Sequence, residues 1–196
     1  MTNHLFDKYK NARLILASQS PRRKELLGGL NLSFEVKVRE VDESFPETMA
    51  AHEVPVYLAE LKASAFKADI QPDDIIITAD TVVIINGEVL GKPNDYPHAF
   101  EMLKKLSGHR HTVITGVCIT SPAKQHSFSA VTDVYFKHLA DSEIDYYLQH
   151  YRPYDKAGSY GVQEWIGYVA IERIEGSYFN VMGLPIQRLY EELLKF

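Results

Sequence analysis

The sequence contains a single cysteine, Cys118. One thiol excludes a disulfide framework within the chain and fits a reducing compartment. Cys118 sits in an alternating apolar run, 113–120, and is read as a small core residue. No apolar stretch is long enough to span a bilayer, so no membrane association is expected. Residues 1–10 are polar and lack the pattern of a secretory signal. They are read as part of a short extension, 1–12, and the expected location is the cytoplasm. A basic excess is missing too: 21 Lys and Arg stand against 26 Asp and Glu, a formal charge of −5. Nucleic-acid binders normally carry a basic excess or stripe, so no stable nucleic-acid binding is expected. An acidic chain can still hold a small polyanion where a few cations converge. The eight histidines form no metal-binding spacing, and His109 and His111 read as ordinary strand residues. There is no Gly-x-Ser-x-Gly, no Walker A and no Rossmann glycine pattern, and no internal repeat or low-complexity segment.

The 196 residues suit one large domain or two intimately joined lobes. Periodicity predicts strands at 13–17 and 33–38, with a helix at 21–30 weakened near its end by Gly28 and Gly29. A second helix, 54–66, carries the stripe Val54, Leu58, Leu61 and Ala65. A strand at 74–79 is expected to break at Asp80. Strands 82–85 and 88–90 flank Asn86-Gly87, a two-residue hairpin signal whose central positions need positive φ. Helix 96–106 is stopped by Gly108. Strands 111–120 and 127–138 follow, the second with Phe128, Ala130, Val134 and Phe136 on one face. Asp141 opens a helix, 141–151. A strand is expected at 167–174. Helix 184–196 closes the chain with Ile186, Leu189, Leu193 and Phe196 inward and Arg188, Glu191, Glu192 and Lys195 outward. Strands and helices mix without strict alternation, which predicts an α+β fold on a mixed or mainly antiparallel sheet.

Five segments can carry chemistry. Ser18-Gln19-Ser20-Pro21-Arg22-Arg23 follows a strand and opens a helix. Ser20 can cap it and Pro21 suits its first turn. A helix N-terminus presents free N–H groups to anions. Arg22 and Arg23 oppose the macrodipole there unless an anion is bound, although a capped helix with surface arginines has the same sequence. Asp80 lies between apolar strand residues, where a carboxylate is costly unless paired or metal-bound; it suits a Mg²⁺ ligand or a base acting on water, or a turn. Glu43 lies in the polar loop Glu40-Val41-Asp42-Glu43-Ser44, and Asp42 is an equal candidate by composition. Lys62 shares a helix column with Leu58 and Phe66, so it flanks the apolar stripe. Lys92 follows the hairpin in Gly91-Lys92-Pro93; both lysines could equally be solvated. In Lys156-Ala157-Gly158-Ser159-Tyr160-Gly161-Val162-Gln163, glycines permit close backbone approach. The Gln163 amide offers the donor and acceptor that a uracil or thymine edge requires.

Taken in order, these segments resemble the Maf family of nucleotide pyrophosphatases. The resemblance runs from about Leu14 to the C-terminus. It rests on Leu16-Ala17-Ser18-Gln19-Ser20-Pro21-Arg22-Arg23-Lys24-Glu25-Leu26-Leu27, Val41-Asp42-Glu43 and Leu58-Ala59-Glu60-Leu61-Lys62-Ala63. Thr78-Ala79-Asp80-Thr81-Val82-Val83, Gly91-Lys92-Pro93, the 156–163 block, Gly176-Ser177-Tyr178 and Val181-Met182-Gly183-Leu184-Pro185 extend it. The resemblance implies an elongated, curved mixed sheet with flanking helices, in two lobes around a cleft, formed by one domain at 13–196. It implies a homodimer, a divalent metal (Mg²⁺, with Mn²⁺ or Co²⁺ as alternatives) and hydrolysis of a nucleoside triphosphate to the monophosphate and pyrophosphate. Ala79-Asp80-Thr81 and Tyr160-Gly161-Val162-Gln163 resemble the branch acting on dTTP and UTP, rather than the one acting on 7-methyl-GTP. One departure is Glu164-Trp165 after Gln163, where a glycine often follows in that branch.

The site expected on this resemblance has Asp80 as base, with Arg22, Arg23, Lys62 and Lys92 neutralising a triphosphate of about four negative charges. Glu43 or Asp80 would hold the metal. Ser18 and Ser20 would contact substrate, with Gln163 and Tyr160 at the base and Tyr160 or Trp165 narrowing the pocket. The family has also been linked to inhibition of septum formation, so a regulatory protein acting through a partner is the alternative from a different class.

Overall fold

Twelve consecutive residues, Asp74–Ile85, form one unbroken strand at the centre of the sheet. The computed structural model describes residues 4–196. In chain order the elements are α1 (His4–Tyr9), β1 (Arg13–Leu16), α2 (Pro21–Gly28), β2 (Phe34–Val36), α3 (Val54–Ser64), β3 (Asp74–Ile85), β4 (Glu88–Leu90), α4 (Tyr96–Leu106), β5 (Arg110–Thr120) and β6 (Gln125–Phe136). They continue with α5 (Asp141–Tyr151), a 3₁₀ turn (Ala157–Ser159), α6 (Trp165–Ala170), β7 (Ile171–Glu175), α7 (Tyr178–Met182) and α8 (Ile186–Lys195). The strand order is β2-β1-β3-β5-β6-β7, with β4 paired to β3. β1 runs parallel to both β2 and β3, while β3 with β4 and β6 with β7 are antiparallel. The sheet is seven-stranded and mixed, one of the two forms that the irregular alternation of elements predicted. The chain divides into two compact units, Met1–Asp80 with Thr115–Ala130 and Gly183–Phe196, and Thr81–Ile114 with Val131–Met182.

In the first unit β1 is flanked by parallel neighbours, in register Ile15 with Glu35 and Ile76. A strand paired on both edges and covered by helices is apolar throughout; Leu14, Ile15 and Leu16 are all buried. Arg13 at its start forms a forked pair with Asp74, at 2.6 and 2.8 Å, which holds the Asp74 carboxyl below its ordinary range. Helix α3 differs from the expected stripe. Its buried face is Val54, Leu58, Ala59 and Ala63, with Leu61 and Ala65 only partly covered. The small side chains of Ala59 and Ala63 cluster with Cys118 of β5, and the Thr78 hydroxyl of β3 donates to the Ala59 carbonyl at 2.6 Å. A larger stripe would hold the helix too far off for that bond. Residues 1–12 are not simply an extension. Residues 1–3 lie outside the described residues, but α1 packs on α8 with Leu5 and Tyr9, one turn apart, both buried. The Tyr9 hydroxyl donates to the Leu193 carbonyl at 2.7 Å. On α8, Glu192 was expected outside; it is buried, with His126 Nε2 at 3.1 Å and Arg188 Nε at 2.6 Å from its carboxylate. Burial of that carboxylate is tolerated because the Arg188 guanidinium meets it.

In the second unit the hairpin between β3 and β4 has positive φ at both Asn86 and Gly87, 52° and 79°, the twist that a two-residue connection needs. Helices α4 and α5 have the bounds that periodicity indicated. Asp95 caps α4, accepting from the His98 N–H at 2.9 Å. The expected strand at 167–174 is instead α6 followed by β7. The apolar residues of 165–170 suit a buried helix turn as well as a strand, and only Ile171–Glu175 finds a partner edge, on β6. His111, Phe136 and Tyr160 form an edge-to-face aromatic cluster with ring centroids 4.9 to 5.4 Å apart.

Candidate active site

In the first unit, β1 delivers the chain to the N-terminus of α2. Ser20 is the helix cap, its Oγ accepting from the Arg23 N–H at 3.5 Å, and Pro21 occupies the first turn. Ser18 is buried; its Oγ accepts from the Ser20 N–H at 3.2 Å and from the Arg23 guanidinium at 3.4 Å. Arg23 is further fixed by two backbone carbonyls, Nε donating to Gly183 at 2.7 Å and an Nη donating to Ala79 at 2.8 Å. Burial lowers its pKa; the nearby carboxylates Asp80 and Glu43 oppose that, and Arg22 adds to it. Arg22 is half-buried in the same first turn. Arg23 thus ties α2 to β3 and to the segment before α8.

Asp80 stands on β3 itself, with no break in the strand, and is 8% exposed. The expected break came from reading a charge as punctuation, whereas the charge is compensated in place. Lys62, one helical turn from Leu58 on α3, reaches it: Nζ lies 2.5 Å from Asp80 Oδ1 and 3.2 Å from Glu43 Oε1. One ammonium therefore brings two carboxylates together from a strand and a loop. Glu43 remains about half exposed. Asp42, equal to it by composition, turns away and accepts from the Ser44 N–H at 3.1 Å, closing its own loop. Within this unit Arg22, Arg23 and Lys62 gather with Asp80 and Glu43, so cations outnumber carboxylates locally in a chain that is acidic as a whole.

The second unit holds the other candidates. The Gly158 N–H donates to the Gly91 carbonyl at 3.0 Å, which sets Gly91-Lys92-Pro93 beside the 156–163 block. At Gly158, with φ of 66°, a Cβ would come 2.9 Å from a Val83 methyl, so glycine is required there on both counts. Lys92 itself is exposed. Gln163 is half-buried, and its amide carbonyl oxygen is buried without a hydrogen-bond partner. Tyr160, expected beside a nucleotide base, is 5% exposed, with its hydroxyl 2.8 Å from His111 Nε2. Burial pushes its phenol pKa up. It belongs to the core of the unit, because a phenol ring with a hydroxyl partner satisfies an interior as well as a pocket wall. Trp165 packs on Tyr146, ring centroids 4.9 Å apart. Sequence reasoning missed two things. It assigned no role to Gly183, whose carbonyl anchors Arg23, although the 181–185 motif was noted. It also missed the meeting of Tyr147, Lys156 and Glu164 beside Gly161; the signals were Lys156 at the start of the 156–163 block and Glu164 in place of a glycine.

The profile of a family described as Maf-like protein matches residues 13–196. A protein of Phocaeicola vulgatus, named dTTP/UTP pyrophosphatase, is 57% identical over 190 residues, covering 96% of this chain and 97% of its own length. Proteins of the same name from Porphyromonas gingivalis strain W83 and Bacteroides fragilis strain YCH46 are 53% and 56% identical, over 98% and 95% of this chain and 98% and 96% of theirs.

Proposed function

This chain belongs to the Maf-like protein family, and from that premise we propose that it is a nucleoside triphosphate pyrophosphatase that hydrolyses dTTP and UTP to the monophosphate and pyrophosphate. The observation that carries the chemistry is Lys62 drawing Asp80 and Glu43 together in the unit where Arg22 and Arg23 flank a capped helix N-terminus. Phosphate oxygens are met there by planar guanidinium forks at the positive end of α2. Arg23, pinned by two carbonyls, is preorganised and needs no rearrangement as charge develops. Asp80 orients and deprotonates water, since a carboxylate held at a fixed point on a strand keeps its geometry through the reaction. Lys62 balances its charge and meets the charge that builds on phosphate.

The donor set suits a divalent cation. Two carboxylates already share one cation, the Lys62 ammonium, and Mg²⁺ commonly takes one or two carboxylates and completes its shell with phosphates and water. Among the described residues no group of three or more His, Cys, Asp and Glu could enclose a metal alone, so substrate would have to supply the remaining ligands. Glu43 and Asp80 would hold Mg²⁺, with Mn²⁺ or Co²⁺ as alternatives, and when bound it supplies positive charge to phosphate oxygens and acidifies water.

Base choice is assigned to Gln163. Its buried carbonyl oxygen lacks a donor, and N3–H of uracil or thymine is such a donor. Cytosine presents an acceptor there, and an unpaired buried group costs about 1–3 kcal/mol, roughly tenfold or more in selectivity. The test is pyrophosphate release from dTTP, UTP, CTP, ATP, GTP and 7-methyl-GTP. Faster turnover of 7-methyl-GTP overturns the substrate assignment, and no release from any of them overturns the enzyme. A homodimer in the cytoplasm is part of the same reading, and light scattering of the purified chain measures the first. Among the described residues no helix is long and apolar enough to cross a membrane.

A further inference from the structure

We propose that Glu164 is a positioning residue for base selection: clamped by Lys156 and Tyr147, it fixes the turn that presents Gln163. The inference rests on the assignment of Gln163 as base reader and concerns what holds that residue in place.

The turn is Gly161-Val162-Gln163-Glu164, closed by the Glu164 N–H donating to the Gly161 carbonyl at 3.0 Å. Glu164 folds its side chain back over Gly161, where an added Cβ would lie 2.8 Å from the carboxyl carbon. Both carboxylate oxygens are engaged. Oε1 lies 3.0 Å from Lys156 Nζ, and Oε2 accepts from the Tyr147 hydroxyl. That hydroxyl in turn accepts from the Gly161 N–H at 3.0 Å. Tyr147 comes from α5 and is fully buried, so the clamp is tied to a helix of the second unit rather than to a mobile side chain. Lys156 is 8% exposed and also contacts Asp155 at 2.7 Å. Behind the turn, α6 comes so close that a Cβ on Gly167 would overlap the Val162 carbonyl at 1.8 Å. Backbone, helix and carboxylate thus hold every residue of the turn except the Gln163 amide, whose oxygen is left without a partner.

A part-buried acid, a buried amine and a buried phenol are costly to assemble, and a purely apolar filling would hold the fold as well. What the polar clamp adds is one orientation for the turn. A hydrogen-bonding reader selects only when its amide is delivered at a set distance and angle to the base edge, and a fixed turn supplies that placement. The mechanism predicts that loosening the clamp costs selectivity before it costs turnover.

The experiment measures kcat and KM for dTTP and CTP, and inhibition by inorganic pyrophosphate, in Glu164→Gln, Tyr147→Phe, Gln163→Ala and the Tyr147→Phe/Gln163→Ala double variant. Tyr147→Phe keeps the ring and loses one hydroxyl, so it remains informative if Glu164→Gln folds poorly. The dTTP-over-CTP preference is expected to fall roughly three- to tenfold in each clamp variant, through KM for dTTP, with pyrophosphate inhibition unchanged. On the Gln163→Ala background, Tyr147→Phe is expected to change selectivity no further. If Gln163→Ala abolishes selectivity while both clamp variants keep it, this inference is overturned and the base assignment stands. Equal losses for dTTP and CTP in the clamp variants also overturn it, as a purely structural role. Unchanged selectivity in Gln163→Ala overturns the base assignment and this inference with it.

Discussion

Asp80→Asn separates charge from shape at the proposed catalytic carboxylate. Asparagine keeps an oxygen in place of Oδ1, which lies 2.5 Å from Lys62 Nζ, and Lys62 retains Glu43 at 3.2 Å. The ammonium is therefore not orphaned, and the full penalty of about 3–5 kcal/mol for breaking a buried pair does not apply. The loss is that of one charge-assisted hydrogen bond, about 1–2 kcal/mol. For a chain of this size that corresponds to a fall in Tm of roughly 2–8 °C. The strand ladder and the Ala79 carbonyl that holds Arg23 are backbone features and remain. Turnover should fall roughly 10²–10⁴-fold, the range for a general base, equivalent to about 3–5 kcal/mol of transition-state stabilisation. Pyrophosphate release at saturating dTTP and Mg²⁺ gives the first number and a thermal melt the second. A folded variant with near-normal turnover removes Asp80 from the chemistry. A collapse in Tm with a parallel loss of activity makes it structural.

Arg23→Ala should lower both kcat/KM for dTTP and Tm, because the Gly183 and Ala79 carbonyls lose a charged donor worth about 2 kcal/mol; a Tm equal to that of the native chain contradicts this anchoring role. Glu43→Gln should raise the Mg²⁺ concentration needed for half-maximal activity severalfold at little cost in stability, since Glu43 is about half exposed; a Mg²⁺ titration identical to that of the native chain takes Glu43 out of the metal site. His111 is buried, and burial lowers its pKa from 6.5 to about 4. The unfolded chain then binds a proton that the folded one does not between those values, so stability held above pH 6.5 is lost as pH falls toward 4, by about 3 kcal/mol in all. Urea midpoints across that range should follow this slope, and His111→Gln should flatten it; a slope unchanged by the substitution assigns it to other groups.

Local pattern carried the element list well where one period dominated. Helices α4 and α5 and the Asn86-Gly87 hairpin appear as expected because amphipathic spacing, caps and turn chemistry act within a few residues. It failed where two structures share one pattern. The apolar run before β7 suits helix or strand, and the pairing edge on β6 decides which part extends. It failed again at charges. Asp80 looked like a strand break because the lysine that meets it lies on a separate helix, and Glu192 looked like a surface residue because its Arg188 partner, one turn away, is a pairing that exposed helix faces also carry.

The sequence by itself determined the family, the capped helix carrying Arg22 and Arg23, the small core cysteine and the identities of Lys62, Asp80, Glu43 and Gln163 as candidates. Side-chain chemistry and spacing are written in the letters. Tertiary structure alone decided that Lys62 joins two carboxylates, that Glu43 and not Asp42 is one of them, and that Tyr160 belongs to the core. It alone tied Arg23 to the carbonyl of Gly183, 160 residues away. A carbonyl acceptor is present at every position of the chain, so no letter of the sequence marks the one that a distant arginine will find.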